Sequence, residues 1–253
     1  MKEQIHTIPV NEAFDSGDEC PFCWLERQAE QRAIRFTAGS CASYMEPDVR
    51  AVTDREGFCR EHLKKLYDYG NALGNALMLQ TWFAGILKDL ESELDDFVPP
   101  AKRSLIPRKK PQDAAPVSLL EWAKQKQDSC YLCNKIDYSM EGYYHTFFTM
   151  SKDAEFRAKV EKSKGFCLRH FAELVEQAED RLPNSQREWF YETVFGLMKE
   201  NLVRVKEDLD WFVGMFDYRQ AGADWKNSRD AVPRSMQKLQ GLHPADPPFM
   251  KEK

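Results

Sequence analysis

Six cysteines and two histidines spell one pattern twice. The first copy is Cys20-Pro21-Phe22-Cys23, then Gly57-Phe58-Cys59-Arg60-Glu61-His62. The second is Cys130-Tyr131-Leu132-Cys133, then Gly165-Phe166-Cys167-Leu168-Arg169-His170. C-x2-C aims two thiolates at one point. C-x2-H on the first turn of a helix adds a third thiolate and an imidazole. Three sulfurs and one nitrogen close a tetrahedron, which is how structural Zn2+ is held; catalytic zinc keeps one position for water. Read in chain order, Cys20, Cys23, Cys59 and His62 take one ion, and Cys130, Cys133, Cys167 and His170 take another. Cys59 and Cys167 are expected at helix amino termini, where the helix dipole favours the thiolate.

Other chemistries fit less well. An iron–sulfur cluster uses the same soft ligands, but this spacing favours zinc. A thioredoxin-like pair wants a βαβ setting, and none surrounds either C-x2-C. Covalent haem wants histidine directly after the second cysteine, where Trp24 and Asn134 stand. Two Zn2+ per chain are therefore expected. Because folding must gather the ligands, metal binding energy becomes folding energy, of order ~10 kcal/mol for zinc-finger peptides.

The elements that carry these residues repeat. The two C-x2-C pairs lie 110 residues apart and the two C-x2-H pairs 108 apart. The stretches between them are 35 and 33 residues long. The spacing reads as a tandem duplication: one zinc-binding helical repeat over 1–98 and a second over 119–218. A linker at 99–118 separates them, because residues 95–118 hold five of the thirteen prolines. Proline removes a backbone donor and restricts its predecessor, so no helix or central strand continues through. A polar tail with a short helix fills 219–253.

Periodicity is helical within each half, and strand signals are scarce, so the expected class is all-α. Helices are expected near 21–38, 48–55, 58–69, 72–97, 118–128, 131–149, 153–162, 167–180, 185–218 and 229–239. Ser118/Glu121 and Ser185/Glu188 have the spacing of capping boxes.

The formal charge is −5. Residues 1–98 carry 10 basic and 18 acidic side chains, whereas 99–118 carry five and one. An acidic body argues against nucleic-acid binding, which needs a basic face. The basic cluster Lys102, Arg103, Arg108, Lys109 and Lys110 is the place where such binding would start. The amino terminus lacks an apolar signal region, and six cysteines in metal-type spacing suit a reducing compartment, so a cytoplasmic location is expected. The uncharged stretch from Tyr69 to Leu87 is broken by Asn71, Asn75, Gln80 and Thr81 and reads as a buried helix.

Four further features carry weaker signals. Cys41, the seventh cysteine, reads as a small buried group, and His145 as part of a packed aromatic helix face. Met45-Glu46-Pro47-Asp48-Val49-Arg50 reads as a capping turn with a local ion pair. The tail from Asp217 to Gly241 concentrates Arg219, Trp225, Arg229, Asp230 and Arg234. These are candidate contacts for a protein or a small anionic ligand, or else ties that fasten the tail to the second half.

CPFCWLE, the MEPDVR…GFCREH run, the second CxxC…GFCxRH and the FDYR…WKNSRDAVPRSMQKLQG tail together resemble an uncharacterised bacterial family, classed as a domain of unknown function. The resemblance covers most of the chain and implies a cytoplasmic helical protein without supplying an activity. Members are often labelled automatically as ABC transporter substrate-binding proteins. That role needs an export signal or lipid anchor and two α/β lobes, and the sequence reads as neither.

The expected function is a zinc-stabilised, non-enzymatic adaptor or ligand-binding module. A metalloenzyme or redox protein with an open zinc site or a cluster is the second reading, and nucleic-acid binding through the basic linker the third. No serine–histidine–acid set, phosphate loop or dinucleotide fingerprint favours catalysis.

Overall fold

A computed structural model describes residues 6–41, 43–95, 97 and 118–246. They form eleven α-helices and two short 3-10 turns, with no strand among the described residues. The helices are α1 (Thr7–Asp15), α2 (Pro21–Ala38), α3 (Pro47–Glu56), α4 (Arg60–Tyr69), α5 (Ala72–Asp95), α6 (Leu119–Asp128), α7 (Tyr131–Met150), α8 (Ala154–Lys162), α9 (Leu168–Arg181), α10 (Asn184–Gly214) and α11 (Ala231–Gln240). The all-α class is thus as expected, and ten of the eleven helices fall on the ten expected ones. The linker, apart from Ser118, and its basic cluster lie outside the described residues.

The buried faces follow helical spacing. On α9, His170, Leu174 and Ala178 are buried at intervals of four, and on α4 His62 and Leu66 do the same. Such a stripe places a metal-type ligand and the apolar core on one side of the helix. The Ser118–Glu121 capping box forms in full. The second expected box does not form. Helix α10 begins one residue early, with Pro183 in the cap position, so Ser185 already lies inside the helix. That helix also stops at Gly214 rather than at 218. Helix α1 had no expectation; it buries Val10, Ala13 and Phe14.

The described chain divides into two compact units, each made from two stretches: residues 6–31 with 136–246, and residues 32–97 with 118–135. The divisions fall inside α2, after Gln31, and inside α7, after Lys135. The units therefore interleave along the sequence rather than following one another.

The first unit is centred on aromatic rings. Phe22 stacks on Tyr144 with centroids 4.6 Å apart, and Phe14 meets Phe147, Phe156 and Phe166. Helix α11 packs on α9 and α10. The tail holds a buried ion cluster. Glu19 faces Lys238, Arg204, Arg234 and Lys164. Lys238 Nζ also donates to the Glu19 and Lys164 carbonyls, at 2.5 Å each. Burial works against a charged Glu19, but the Arg204 hydrogen bond and the Lys238, Arg204 and Lys164 charges hold its carboxyl below the usual range. The tail therefore ties the start of the chain, not the second half alone.

In the second unit α3 and α4 pack on α5. Arg50 does the bonding at the expected capping turn. It donates to the Tyr44 carbonyl at 2.8–2.9 Å and to the Leu77 carbonyl at 2.9 Å. Glu46 makes no side-chain cap; Pro47 opens the helix instead.

Removing one member of a buried ion pair strands the other, at a cost of about 3–5 kcal/mol. Glu19→Gln is expected to lower the unfolding free energy by that order, read as the urea midpoint of the full chain. Arg219→Ala, at an exposed pair with Asp217, should change it little.

Candidate metal centres

The eight ligands occupy equivalent places on four helices. Cys20, Cys59, Cys130 and Cys167 immediately precede α2, α4, α7 and α9; Cys23, His62, Cys133 and His170 are the third residues of those helices. A side chain just before a helix can accept from the N–H three residues on. Cys23 N–H accordingly donates to Cys20 Sγ at 3.4 Å, and His170 N–H to Cys167 Sγ at 3.5 Å. Each ligand pair therefore sits in the positive field of a helix amino terminus, which favours thiolate over thiol.

The GFC glycines make the approach possible. Gly57 and Gly165 have φ of 62° and 74°, a backbone region that side chains strain. A Cβ on Gly57 would also run into the Trp82 indole. Beyond that turn, Tyr131 N–H donates to the Gly57 carbonyl at 2.9 Å, joining a GFC turn to a C-x2-C turn.

The ligands converge as two groups of three cysteines and one histidine, but not in chain order. Cys20 and Cys23 meet Cys167 and His170, and Cys59 and His62 meet Cys130 and Cys133. Pairing each C-x2-C with the next C-x2-H is thereby corrected. The C-x2-C and C-x2-H motifs are interchangeable helix-start ligand pairs, so spacing alone does not fix which two meet; the starts of α2 and α9 meet in one unit and those of α4 and α7 in the other. Each group lies wholly within one compact unit: the first centre (Cys20, Cys23, Cys167, His170) in one, the second (Cys59, His62, Cys130, Cys133) in the other.

The spacing within each group fits one small ion. In the first centre His170 Nδ1 lies 3.4, 3.5 and 3.2 Å from the sulfurs of Cys20, Cys23 and Cys167. In the second His62 Nδ1 lies 3.3, 3.3 and 3.4 Å from those of Cys59, Cys130 and Cys133. Cys59 Sγ and Cys133 Sγ are 3.9 Å apart. A tetrahedral ion with bonds of about 2.3 Å to sulfur and about 2.0 Å to nitrogen sets S···N at about 3.5 Å and S···S at about 3.8 Å. The groups can hold metal ions and are compatible with zinc. All seven cysteines are free.

The electrostatics prepare a cation site. Hydrogen bonds from Cys20 and Cys23, then from His170, hold Cys167 far below the thiol range. Burial pushes Cys130 up, but hydrogen bonds from His62 and from the Cys133 and Cys59 backbones bring it to about 6. Cys23 moves up, chiefly through hydrogen bonding to Cys167 and Cys20. Each centre thus keeps thiolate charge that a cation can neutralise.

A family model described as a family of unknown function (DUF6062) matches residues 1–246. The chain belongs to this family. No curated protein and no solved structure matches it. No helix among the described residues is long and apolar enough to cross a membrane.

The surroundings of the two centres differ. In the first centre Cys20, Cys23, Cys167 and His170 are all buried. Leu242 N–H donates to Cys23 Sγ at 3.3 Å, and Glu26, paired with Arg169, comes within 3.7 Å of His170 Nε2. Arg169 Nη2 lies nearer, 3.1 Å from His170 Nε2, so the Arg169–Glu26 pair together backs the imidazole. The sequence reading singled out neither Glu26 nor the covering by Leu242, both of which depend on long-range folding. In the second centre Cys59 and Cys133 are half-buried. Cys59 borders a groove of about 870 Å³, lined by Phe58, Leu63, Trp82, Phe83, Ile86 and Trp122 among others.

The tail residues do not form one site. Arg229, Asp230 and Arg234 line a polar cleft of about 580 Å³ in the first unit. Arg234 is engaged with Asp208 and Asp230. Trp225 packs on Phe212 and Phe216 with Arg229 over its ring, while Arg219 pairs with Asp217 in solvent. Two expectations are overturned. Cys41 is exposed, not buried. His145 points outward, while Tyr143, Tyr144, Phe147 and Phe148 fill the core.

The crossed grouping has a direct test in metal content. Cys20→Ser/Cys167→Ser should lose one metal equivalent, as either single change does. Cys20→Ser/Cys59→Ser should lose both. Grouping in chain order predicts the reverse, and elemental analysis of purified protein decides.

Proposed function

We propose that this is a cytoplasmic, zinc-stabilised binding protein in which two Zn2+ ions are structural and the work is done by the helical surface. The carrying observation is closure: each centre presents four protein ligands to one point, which leaves a tetrahedral ion no position for substrate or water. Zinc is favoured over an iron–sulfur cluster because the ligand atoms of each group lie within 4.8 Å of one another, whereas a cluster of several irons holds its ligands farther apart. Cysteines gathered in metal-type groups support a reducing compartment.

The polar cleft of the first unit is the proposed site for a small anionic ligand. Lys162, Lys164, Arg204, Lys226, Arg229 and Arg234 line it against Glu19, Asp208 and Asp230. Six cations against three carboxylates leave a positive excess that attracts an anion. The pairing of Arg234 with its neighbours leaves it a framing role, while Lys162 and Arg229 stand at the exposed rim.

Protein purified without added metal is expected to carry about two zinc ions per chain. X-ray absorption should show three sulfurs and one nitrogen around each. Complete removal by a strong chelator should lower the melting temperature by ten degrees or more, since the binding energy is folding energy. An unchanged melting curve after removal would refute the structural role, and an exchangeable water on either ion would refute closure.

A further inference from the structure

The asymmetry between the two centres carries a second conclusion, which rests on their holding zinc. We propose that the second centre is an oxidative modification site: a hydroperoxide converts Cys59 and Cys133 to a disulfide, and the first centre does not react.

Three observations point the same way. Access separates the centres first. Cys20, Cys23, Cys167 and His170 are exposed by 2% or less, whereas Cys59 and Cys133 are half-buried. Thiol oxidation follows thiolate character and access; a bound zinc ion holds the cysteines of both centres as thiolates, so access is what distinguishes them. Hydrogen bonding separates the sulfurs further: in the first centre the N–H groups of Leu242, Cys23 and His170 donate to the sulfurs of Cys23, Cys20 and Cys167, whereas in the second the backbone bonds go to Cys130 and the Cys59 side chain caps no helix N–H. Each such bond draws electron density from the sulfur and lowers its nucleophilicity. Gly241 adds cover: a Cβ placed on it would stand 3.7 and 3.8 Å from Cys167 Sγ and Cys23 Sγ. Proximity then selects the product. The two accessible sulfurs of the second centre already stand 3.9 Å apart, while Cys59 borders the groove through which a small oxidant arrives.

The chemistry balances with the hydroperoxide as sole oxidant. Cys59 Sγ attacks the terminal oxygen of R–O–O–H, the O–O bond breaks, and R–O⁻ leaves and takes a proton to become the alcohol. Cys59 is then a sulfenic acid. Cys133 Sγ attacks Cys59 Sγ, the S–S bond forms, and hydroxide leaves to become water. Two thiolates, one hydroperoxide and two protons give one disulfide, one alcohol and one water. Sulfur supplies the two electrons that reduce the peroxide. Only Cys130 and His62 are left as ligands, too few to retain the ion.

The test uses the full chain with Cys41→Ser, since Cys41 is an exposed thiol outside both centres. Zinc is counted before treatment. Hydrogen peroxide is added, released zinc is read with a chromophoric chelator, and disulfides are mapped by peptide mass spectrometry. One of two equivalents is expected to be released, with a Cys59–Cys133 bridge and with Cys20, Cys23 and Cys167 still alkylatable after denaturation. Release of neither equivalent, release of both at equal rates, or a bridge that involves Cys130 or the first centre overturns the proposal. A starting count of zero overturns the zinc reading itself, so the two failures are told apart.

Discussion

Everything in this fold depends on bringing helix amino termini together in pairs. The start of a helix is the one place where a backbone offers several unsatisfied N–H groups and a net positive field. Two such ends facing one another would repel. Here each carries a thiolate or imidazole at the position before the helix and at its third residue, and the negative sulfurs fill the gap between them. A cation held between four such groups would complete the neutralisation. The same geometry would be unfavourable with neutral side chains, which is why the ligand types and the helix starts coincide at all four places.

That constraint explains both what could be read in advance and what could not. The eight ligands were legible because cysteine and histidine at fixed offsets have few other uses. The helices were legible because apolar spacing and caps such as Ser118–Glu121 are local. The grouping was not. Chain-order and crossed groupings use identical motifs at identical spacing, and only the tertiary packing that brings the start of α2 to α9 and of α4 to α7 decides between them. Helix α1 and the Glu19–Lys238 pair escaped for a related reason. Their partners lie far along the chain: Phe14 meets Phe147 and Phe166, and Glu19 meets Lys238. Cys41 and His145 show the limit of residue-type averages, since both face solvent despite apolar or aromatic neighbours in sequence.

Crossing also changes what an ion bound at each centre would accomplish. A clamp between neighbouring motifs closes a loop of some forty residues. The first centre instead joins residues near position 20 to residues near 170. The conformational entropy removed from the unfolded chain rises only as the logarithm of loop length, so the gain in stability over a sequential clamp is small. The larger effect is on order of assembly. Neither centre can form until residues from both sides of the segment 98–117 are present. The tail behaves in the same way, with Lys238 and Leu242 reaching back to Glu19 and Cys23.

The two centres share ligands, offsets and helix positions, yet their outer surroundings diverge, and the divergence is where function can enter. Around the first, a half-buried Glu26, a stacked aromatic core and the Leu242 N–H of the tail cover the sulfurs. Around the second, the same tetrahedron lies at the edge of an aromatic groove with two sulfurs within reach of small molecules. Stability alone would have been served by two centres of the first kind. A zinc ion held here would not change oxidation state, so reactivity would reside in the sulfurs around it, with their accessibility as the controlling variable. Two such clamps of unequal exposure would give the frame one fixed joint and one that chemistry outside the fold can reach.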